Sequence, residues 1–179
     1  VKMCASLQQG LESHGQQMPM IATYISNDGV VPLGSPAIVI DAGGTNFRRA
    51  LITFTHEGAK VEELWRSPMP GIKEPVSWDE FIGFVADSIM PIIDRADKIG
   101  FCFSYNAEIT PEIDGKVTAI DKEVVVKGCE GQLVGASLIA ELERRGIKGK
   151  KIVILNDTVA VLLGGASVLG VPLVYRNQS

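Results

Sequence analysis

The sequence predicts one α/β domain built on a mixed five-stranded sheet with helices on both faces. Two apolar runs rich in β-branched residues, at 37–40 and 152–155, are typical of strands buried on both sides. Loose alternation at 48–55 and clearer alternation at 60–66 predict an antiparallel meander at the start of the sheet. With 179 residues, 46% of them apolar, the chain is long enough to bury one sizeable core.

The elements are predicted in the order βββ-α-β-α-β-α. Residues 1–35 are interpreted as an arm that precedes the domain, because Asn27-Asp28-Gly29, Pro32 and Pro36 favour turns. The domain itself then comprises residues 36–179.

Local signals mark where the helices begin and end. Ser77 and Glu80 have the spacing of a capping box, and apolar residues follow at helical spacing. Pro91 is expected to end or kink this helix. Gly146 is expected to terminate the next helix in a left-handed conformation.

The segments between these helices are less regular. Residues 99–104 have the pattern of another buried strand. Residues 106–118 are rich in turn formers, and residues 123–127 are expected to form a small excursion from the sheet.

Charge argues against a nucleic-acid partner. The net charge is −4 and the pI is about 5.2. The densest basic group, interpreted as a solvated helix end, consists of Arg144, Arg145, Lys148, Lys150 and Lys151.

Composition also bounds the compartment. Cys4, Cys102 and Cys129 form no CxxC pair, which argues against a disulfide framework and a zinc site. The uncharged run at 159–175 is interrupted by glycines and a proline and falls short of the ~20 apolar residues of a membrane span. No signal-peptide pattern is found at the N-terminus, so a reducing cytoplasm is expected.

A glycine pair between the first two predicted strands is a candidate phosphate cradle. Gly43 and Gly44 alone favour an ordinary hairpin turn. The preceding Asp41 and the following Thr45 and Arg48, however, offer a carboxylate, a hydroxyl and a cation to Mg²⁺ and phosphate. A plain turn explains none of these.

A second polar group, Asn156-Asp157-Thr158, follows the last predicted strand. A carboxylate at the carboxyl end of a buried strand projects into the crevice where open α/β sheets bind ligands. The same residue types also serve as helix N-caps. Catalysis and capping are both open interpretations of this group.

Residues 40–48 resemble the first phosphate-binding motif of the hexokinase family, where members read Asp-Leu-Gly-Gly-Thr-Asn-Phe-Arg. The resemblance continues at 18–25, 101–104, 128–131 and 156–159, in the same order. It implies a ribonuclease-H-like (actin-like ATPase) fold and ATP-dependent phosphorylation of a hexose, glucose foremost, at the 6-hydroxyl. It also implies that the chain is the smaller lobe of such a kinase and needs a larger C-terminal lobe as partner.

The resemblance assigns roles residue by residue. Asp157 would be the general base, and Lys122 would contact the sugar and stabilise the transferring group. The implied sugar site consists of Ser104, Asp121, Lys122, Asn156 and Asp157. The implied ATP site consists of Asp41, Gly43, Gly44, Thr45, Asn46 and Arg48, with Asp41 binding Mg²⁺ through water.

Departures from the family pattern leave the acceptor open. Tyr105-Asn106 replaces Phe-Pro, and Asp121 replaces a threonine. The family's second phosphate loop and adenosine segment have no counterpart in the chain, which is therefore expected to be inactive alone. The alternatives are a hexose-sensing module without catalysis, and a kinase of the same superfold with another acceptor.

Overall fold

The computed structural model describes residue 24, residues 32–120 and residues 123–161. The predicted arm therefore lies largely outside the described residues. The strands are β1 (Pro36–Ala42), β2 (Asn46–Thr55), β3 (Gly58–Pro68), β4 (Val76–Ser77), β5 (Lys98–Phe103), β6 (Asn106–Ile109), β7 (Gly115–Ala119), β8 (Val126–Lys127) and β9 (Lys151–Leu155). The helices are α1 (Trp78–Ile89), a 3₁₀ helix (Met90–Arg95) and α2 (Val134–Arg144).

The five-stranded mixed sheet is confirmed, with the strand order β3-β2-β1-β5-β9. β1, β2 and β3 form the predicted antiparallel meander, whereas β5 and β9 run parallel to β1. Alternate residues of β1, Ile38, Ile40 and Ala42, are fully buried in the core. Strands of this kind place their carboxyl ends at one edge of the sheet, which positions the candidate site.

The start of α1 shows why its prediction from sequence succeeded. Ser77 Oγ accepts the N–H of Glu80, and Glu80 Oε2 accepts the N–H of Ser77, so the capping box is formed. The helix ends at Ile89, and Pro91 lies at the start of the 3₁₀ helix that follows. Both boundaries follow from local sequence signals.

The start of α2 has a different construction. Its N-cap residue, Leu133, provides no side-chain hydrogen bond. Instead, Asp114 reaches over from the β6–β7 turn and accepts the N–H of Gly135 at 2.6 Å and that of Ala136 at 2.8 Å. At the other end, Gly146 has the predicted left-handed φ of 86°. Backbone bonds from Gly146 to Glu143 and from Ile147 to Leu142 close the helix.

Both complete helices pack on one face of the sheet. Phe47 on β2 contacts Phe84 of α1 edge to face, and the indole N–H of Trp78 donates to Ser137 of α2. The buried Arg49 side chain donates to the carbonyls of Ser88 and Glu63, which ties α1 to β3. On the opposite face of the sheet, Val153 of β9 is 38% exposed, whereas the neighbouring Ile154 is buried on the helical face.

Two sequence interpretations are wrong in detail. The segment predicted to be rich in turns, 106–118, belongs to the hairpin β6–β7, which ends at Ala119 and whose strands were too short and too polar for periodicity to reveal. The basic group is not simply solvated, because Arg145 bonds Asp87 and Glu141 while Lys150 Nζ donates to the carbonyl of Ala96. Burying the stems of these side chains against the fold is favourable while their charged ends find partners.

The excursion after residue 122 is a short parallel pairing of β4 with β8. Val124 and Val126 are buried there and extend the core. No helix within the described part of the chain has the length and apolar character needed to span a bilayer.

Candidate active site

Strand register brings the two candidate polar groups to the same edge of the sheet. Asp41 of β1 is the register partner of Cys102 on β5, and Cys102 is in turn the partner of Leu155 on β9. The glycine hairpin continues from β1, and Asn156-Asp157 continues from β9. Both groups therefore leave the sheet at its carboxyl edge, separated only by the end of β5.

Cys102 gives an electrostatic measure of this arrangement. Burial, the largest cause, and the negative charges of Asp41 and Asp157 together raise the pKa of its thiol to about 11. Both carboxylates thus act on one half-buried side chain. The two acids that the sequence placed in an ATP site and a sugar site face a common region.

The hairpin itself is tight. Gly43 N–H donates to the carbonyl of Asn46 at 3.0 Å, and Met69 N–H donates to the carbonyl of Thr45 at 3.0 Å. Gly43 does not use a left-handed φ; a Cβ there would lie 3.2 Å from the Asn46 carbonyl oxygen. Close backbone approach is therefore what this glycine provides. The side chains of Thr45 and Asn46 are exposed.

Asp41 forms an ion pair with Arg48. Arg48 Nη1 lies 2.9 Å from Asp41 Oδ2, and the two side chains are 47% and 33% exposed. A pair this exposed contributes little to stability and is readily exchanged for another partner. Arg48 and a cation would therefore compete for the same carboxylate.

The donor set fits a magnesium ion that arrives with phosphate. Within the described residues, no group of three or more His, Cys, Asp or Glu side chains could hold a metal by itself. Asp41 and Thr45 nevertheless offer a carboxylate and a hydroxyl oxygen. Mg²⁺ is commonly held by one or two carboxylates together with substrate phosphates.

Asn156 caps the helical residues 157–161. Its Oδ1 atom accepts the N–H of Thr158 at 3.0 Å and the hydroxyl of the same residue at 2.5 Å. Asp157 is exposed, and its Oδ1 atom also accepts the Thr158 N–H, at 2.8 Å. The capping interpretation is thus correct for Asn156, and it leaves the position of Asp157 at the sheet edge unchanged.

Two buried side chains follow β5 next to the hairpin. Ser104 N–H donates to the carbonyl of Ala42 at 3.2 Å, so β5 keeps pairing with β1 into the site. The hydroxyl of Tyr105 donates to the carbonyl of Gly43 at 2.7 Å. Sequence reasoning noted Tyr105 only as a departure from a family pattern. A hydroxyl directly after Ser104 was the signal that could have found it.

The remaining sugar-site residues predicted from sequence, Asp121 and Lys122, lie outside the described residues. The site as described therefore consists of the hairpin, the Asp41–Arg48 pair, the end of β5 and the Asn156-Asp157 segment.

The fold and this edge place the chain in the actin-like ATPase class of α/β folds. A solved Schistosoma mansoni hexokinase, complexed with glucose, superposes with a TM-score of 0.76 at 22% identity, over 93% of this chain and 39% of that one. Another solved hexokinase gives a TM-score of 0.68 at 20% identity, over 93% and 42% of the two chains. These likenesses establish the fold that the sequence predicted.

The chain belongs to the hexokinase family, because the family model described as hexokinase matches residues 1–167. It is similar to Hexokinase-1 of Arabidopsis thaliana, at 27% identity over 91% of this chain and 36% of that protein. Similarity to the hexokinase of Schwanniomyces occidentalis is 24% over 89% of this chain and 35% of that protein. The chain therefore spans little more than a third of the length of these relatives.

Proposed function

We propose that the protein to which this chain belongs transfers the γ-phosphoryl group of ATP to the 6-hydroxyl of a hexose, with glucose as the first candidate. The observation that carries the proposal is the shared edge: the hairpin after β1 and Asp157 after β9 flank the same thiol at the end of β5. Family membership supports sugar phosphorylation in general.

In this proposal the hairpin holds the nucleotide. Backbone N–H groups of a glycine turn are well suited to bind phosphate oxygens. Asp41, released from Arg48, would hold Mg²⁺, and Thr45 and Asn46 would contact the phosphates. Mg²⁺ would supply charge neutralisation for the transferring group.

The acceptor hydroxyl would lie against Asp157. Its carboxylate is exposed at the sheet edge and accepts the N–H of the neighbouring Thr158. A general base must reach the hydroxyl it deprotonates, and this position provides the access. Asn156 would bind the sugar through its Nδ2 group, since its Oδ1 atom is engaged in the cap. Ser104, Asp121 and Lys122 complete the proposed sugar site.

The rest of the enzyme belongs to the proposal as well. Since the relatives are nearly three times as long as the matched region, a second lobe is proposed to supply the adenosine pocket and to close on this one. The chain alone is proposed to be inactive. Its proposed compartment is the cytoplasm.

The test is a coupled assay of the full-length protein with ATP and several hexoses. Replacing the proposed base, Asp157→Ala, is expected to lower kcat at least ~10²-fold. Asp94→Ala, which removes an exposed acid from the 3₁₀ helix, is the matched control and should leave kcat unchanged. Equal rates for wild type and Asp157→Ala would refute the assigned base. No turnover of any hexose by the wild type would refute the function.

A further inference from the structure

Tyr105, like its neighbour Ser104, is a buried polar side chain at a site whose other polar side chains are more exposed. It is 3% exposed, and its ring packs against Phe103, with centroids 5.2 Å apart. Its hydroxyl lies 2.7 Å from the Gly43 carbonyl oxygen and 3.4 Å from that of Gly44. The side chain thus enters the hairpin from the protein interior and contacts both glycine carbonyls.

This contact determines where the hairpin N–H groups point. In a trans peptide unit the C=O and the following N–H lie in one plane and point in opposite directions. The described part of the chain contains no cis peptide bond. Since Tyr105 draws the Gly43 carbonyl toward the interior, the Gly44 N–H is directed away from it. The weaker contact with the Gly44 carbonyl acts in the same way on the Thr45 N–H.

The hydroxyl is a dependable donor. Burial raises the pKa of Tyr105 to about 12, so the proton that points at the carbonyl remains in place at neutral pH. The ring is held by Phe103, which is itself packed edge to face on Phe101. The donor is therefore fixed by the core of the sheet, in contrast to the exposed pairs around it.

We propose that Tyr105 is a positioning residue for phosphate binding: its hydroxyl holds the Gly43 carbonyl inward so that the hairpin N–H groups face the anion. Preorganised N–H donors bind a phosphate without the energetic penalty of reorienting the loop. Tyr105 itself touches no phosphate in this scheme. The inference deepens the proposed function and rests on it, because it assigns the phosphate of ATP to this hairpin.

The experiment uses Tyr105→Phe in the full-length protein, which retains the ring and removes only the hydroxyl. The KM for ATP is expected to rise roughly 3- to 10-fold, the effect of losing one internal hydrogen bond. The KM for the hexose should stay within about 2-fold, since Ser104, Asn156 and Asp157 are untouched. A general loss of stability would not raise the KM for ATP while leaving the KM for the hexose unchanged.

Ser137→Ala is the matched control. It also removes one partner of a partly buried hydrogen bond, because the Trp78 indole N–H loses its acceptor. This bond joins α1 to α2, which together form the helical layer, away from the site. Ser137→Ala should lower the melting temperature to a similar degree and change neither KM. Unchanged ATP KM in Tyr105→Phe, or parallel rises of both KM values in the two variants, would overturn the proposal.

A binding measurement separates this inference from the kinase proposal. Inorganic tripolyphosphate is titrated into wild type and Tyr105→Phe while the amide NMR signals of Gly44 and Thr45 are followed. These shifts give a dissociation constant for tripolyphosphate. A value at least ~3-fold higher in Tyr105→Phe than in wild type supports the positioning role, even if no hexose is phosphorylated. Equal shifts in both proteins, or none in either, overturn it.

Discussion

Two regions of the molecule hold their polar side chains in different ways: the helical layer, and the carboxyl ends of β1, β5 and β9 with the turns that follow them, here called the strand-end edge. Besides local pairs such as Ser77 with Glu80, polar groups of the helical layer bond across long sequence separations. These bonds join Asp114 to Gly135, Trp78 to Ser137, and Arg145 to Asp87. At the strand-end edge, Asn46 bonds Thr45, Arg48 bonds Asp41, and Asn156 bonds Thr158. The partners in this second set are at most seven residues apart.

This difference separates bonds that fix the fold from bonds that a ligand could replace. These long-range bonds, most of which involve a partly buried group, join separate elements and are lost only when the elements separate. Short-range bonds between exposed groups are individually weak and can be exchanged for bonds to a ligand. Tyr105 is the exception, because a long-range buried bond reaches into the exchangeable edge. Three predictions test the comparison.

The largest expected effect is at Asp114. Asp114→Ala removes a carboxylate that accepts the N–H groups of Gly115, Gly135 and Ala136 and leaves the start of α2 uncapped. The free energy of unfolding should fall by about 2 kcal/mol, the upper range for loss of an N-cap. Urea denaturation of the chain measures it.

Asp114→Asn is the control, since the amide oxygen keeps one acceptor of the same size. It should retain about half of the stability that Asp114→Ala loses. An Ala variant as stable as wild type would break the distinction between the two regions, because a bond spanning 21 residues would then contribute nothing.

An intermediate contrast compares Arg48 with Arg145. Arg48→Ala should lower the free energy of unfolding by less than about 1 kcal/mol, since its ion pair with Asp41 is half exposed. Arg145→Ala should lower it by more, because the 20% exposed Arg145 side chain bonds Asp87, Glu141 and the Gly83 carbonyl. Equal losses in parallel urea titrations would contradict the comparison.

The smallest expected effect is a pH dependence at Glu141. Hydrogen bonds from Arg144 and Arg145 lower the pKa of Glu141 to about 2 from its ordinary 4.5. A carboxyl group whose pKa is lowered by folding stabilises the fold at pH values above its ordinary pKa, and this contribution is lost as the pH falls toward 2. The urea midpoints of wild type and Glu141→Gln should therefore converge between pH 4.5 and pH 2. Profiles that stay parallel over this range would show that the carboxylate adds no stability.

Most of the elements that were predicted correctly have signals in the local sequence. The capping box at Ser77, the stop at Pro91 and the left-handed Gly146 each act within one helical turn, so the sequence alone predicts them. The buried strand patterns and the antiparallel meander are equally local. The ribonuclease-H-like fold then followed from the family resemblance.

What escaped prediction depends on contacts between distant residues. The cap on α2 comes from Asp114, which no N-cap pattern near Leu133 announces. The β6–β7 hairpin is short and gains its order from pairing rather than from periodicity. The bond from Tyr105 to Gly43 spans 62 residues, so it appears only once β5 lies beside β1. The candidate site residues were proposed from the sequence, whereas their position at one edge of the sheet follows from the strand register.

The thiol of Cys102, which is influenced by Asp41 and Asp157, is expected to be unreactive. With the pKa of Cys102 at about 11, only about one molecule in 10,000 carries the thiolate at pH 7. Alkylating reagents and peroxides attack the thiolate, so they should react slowly with this cysteine although it lies at the edge of the sheet. Burial first, and then the charges of Asp41 and Asp157, thus keep this cysteine in its unreactive thiol form.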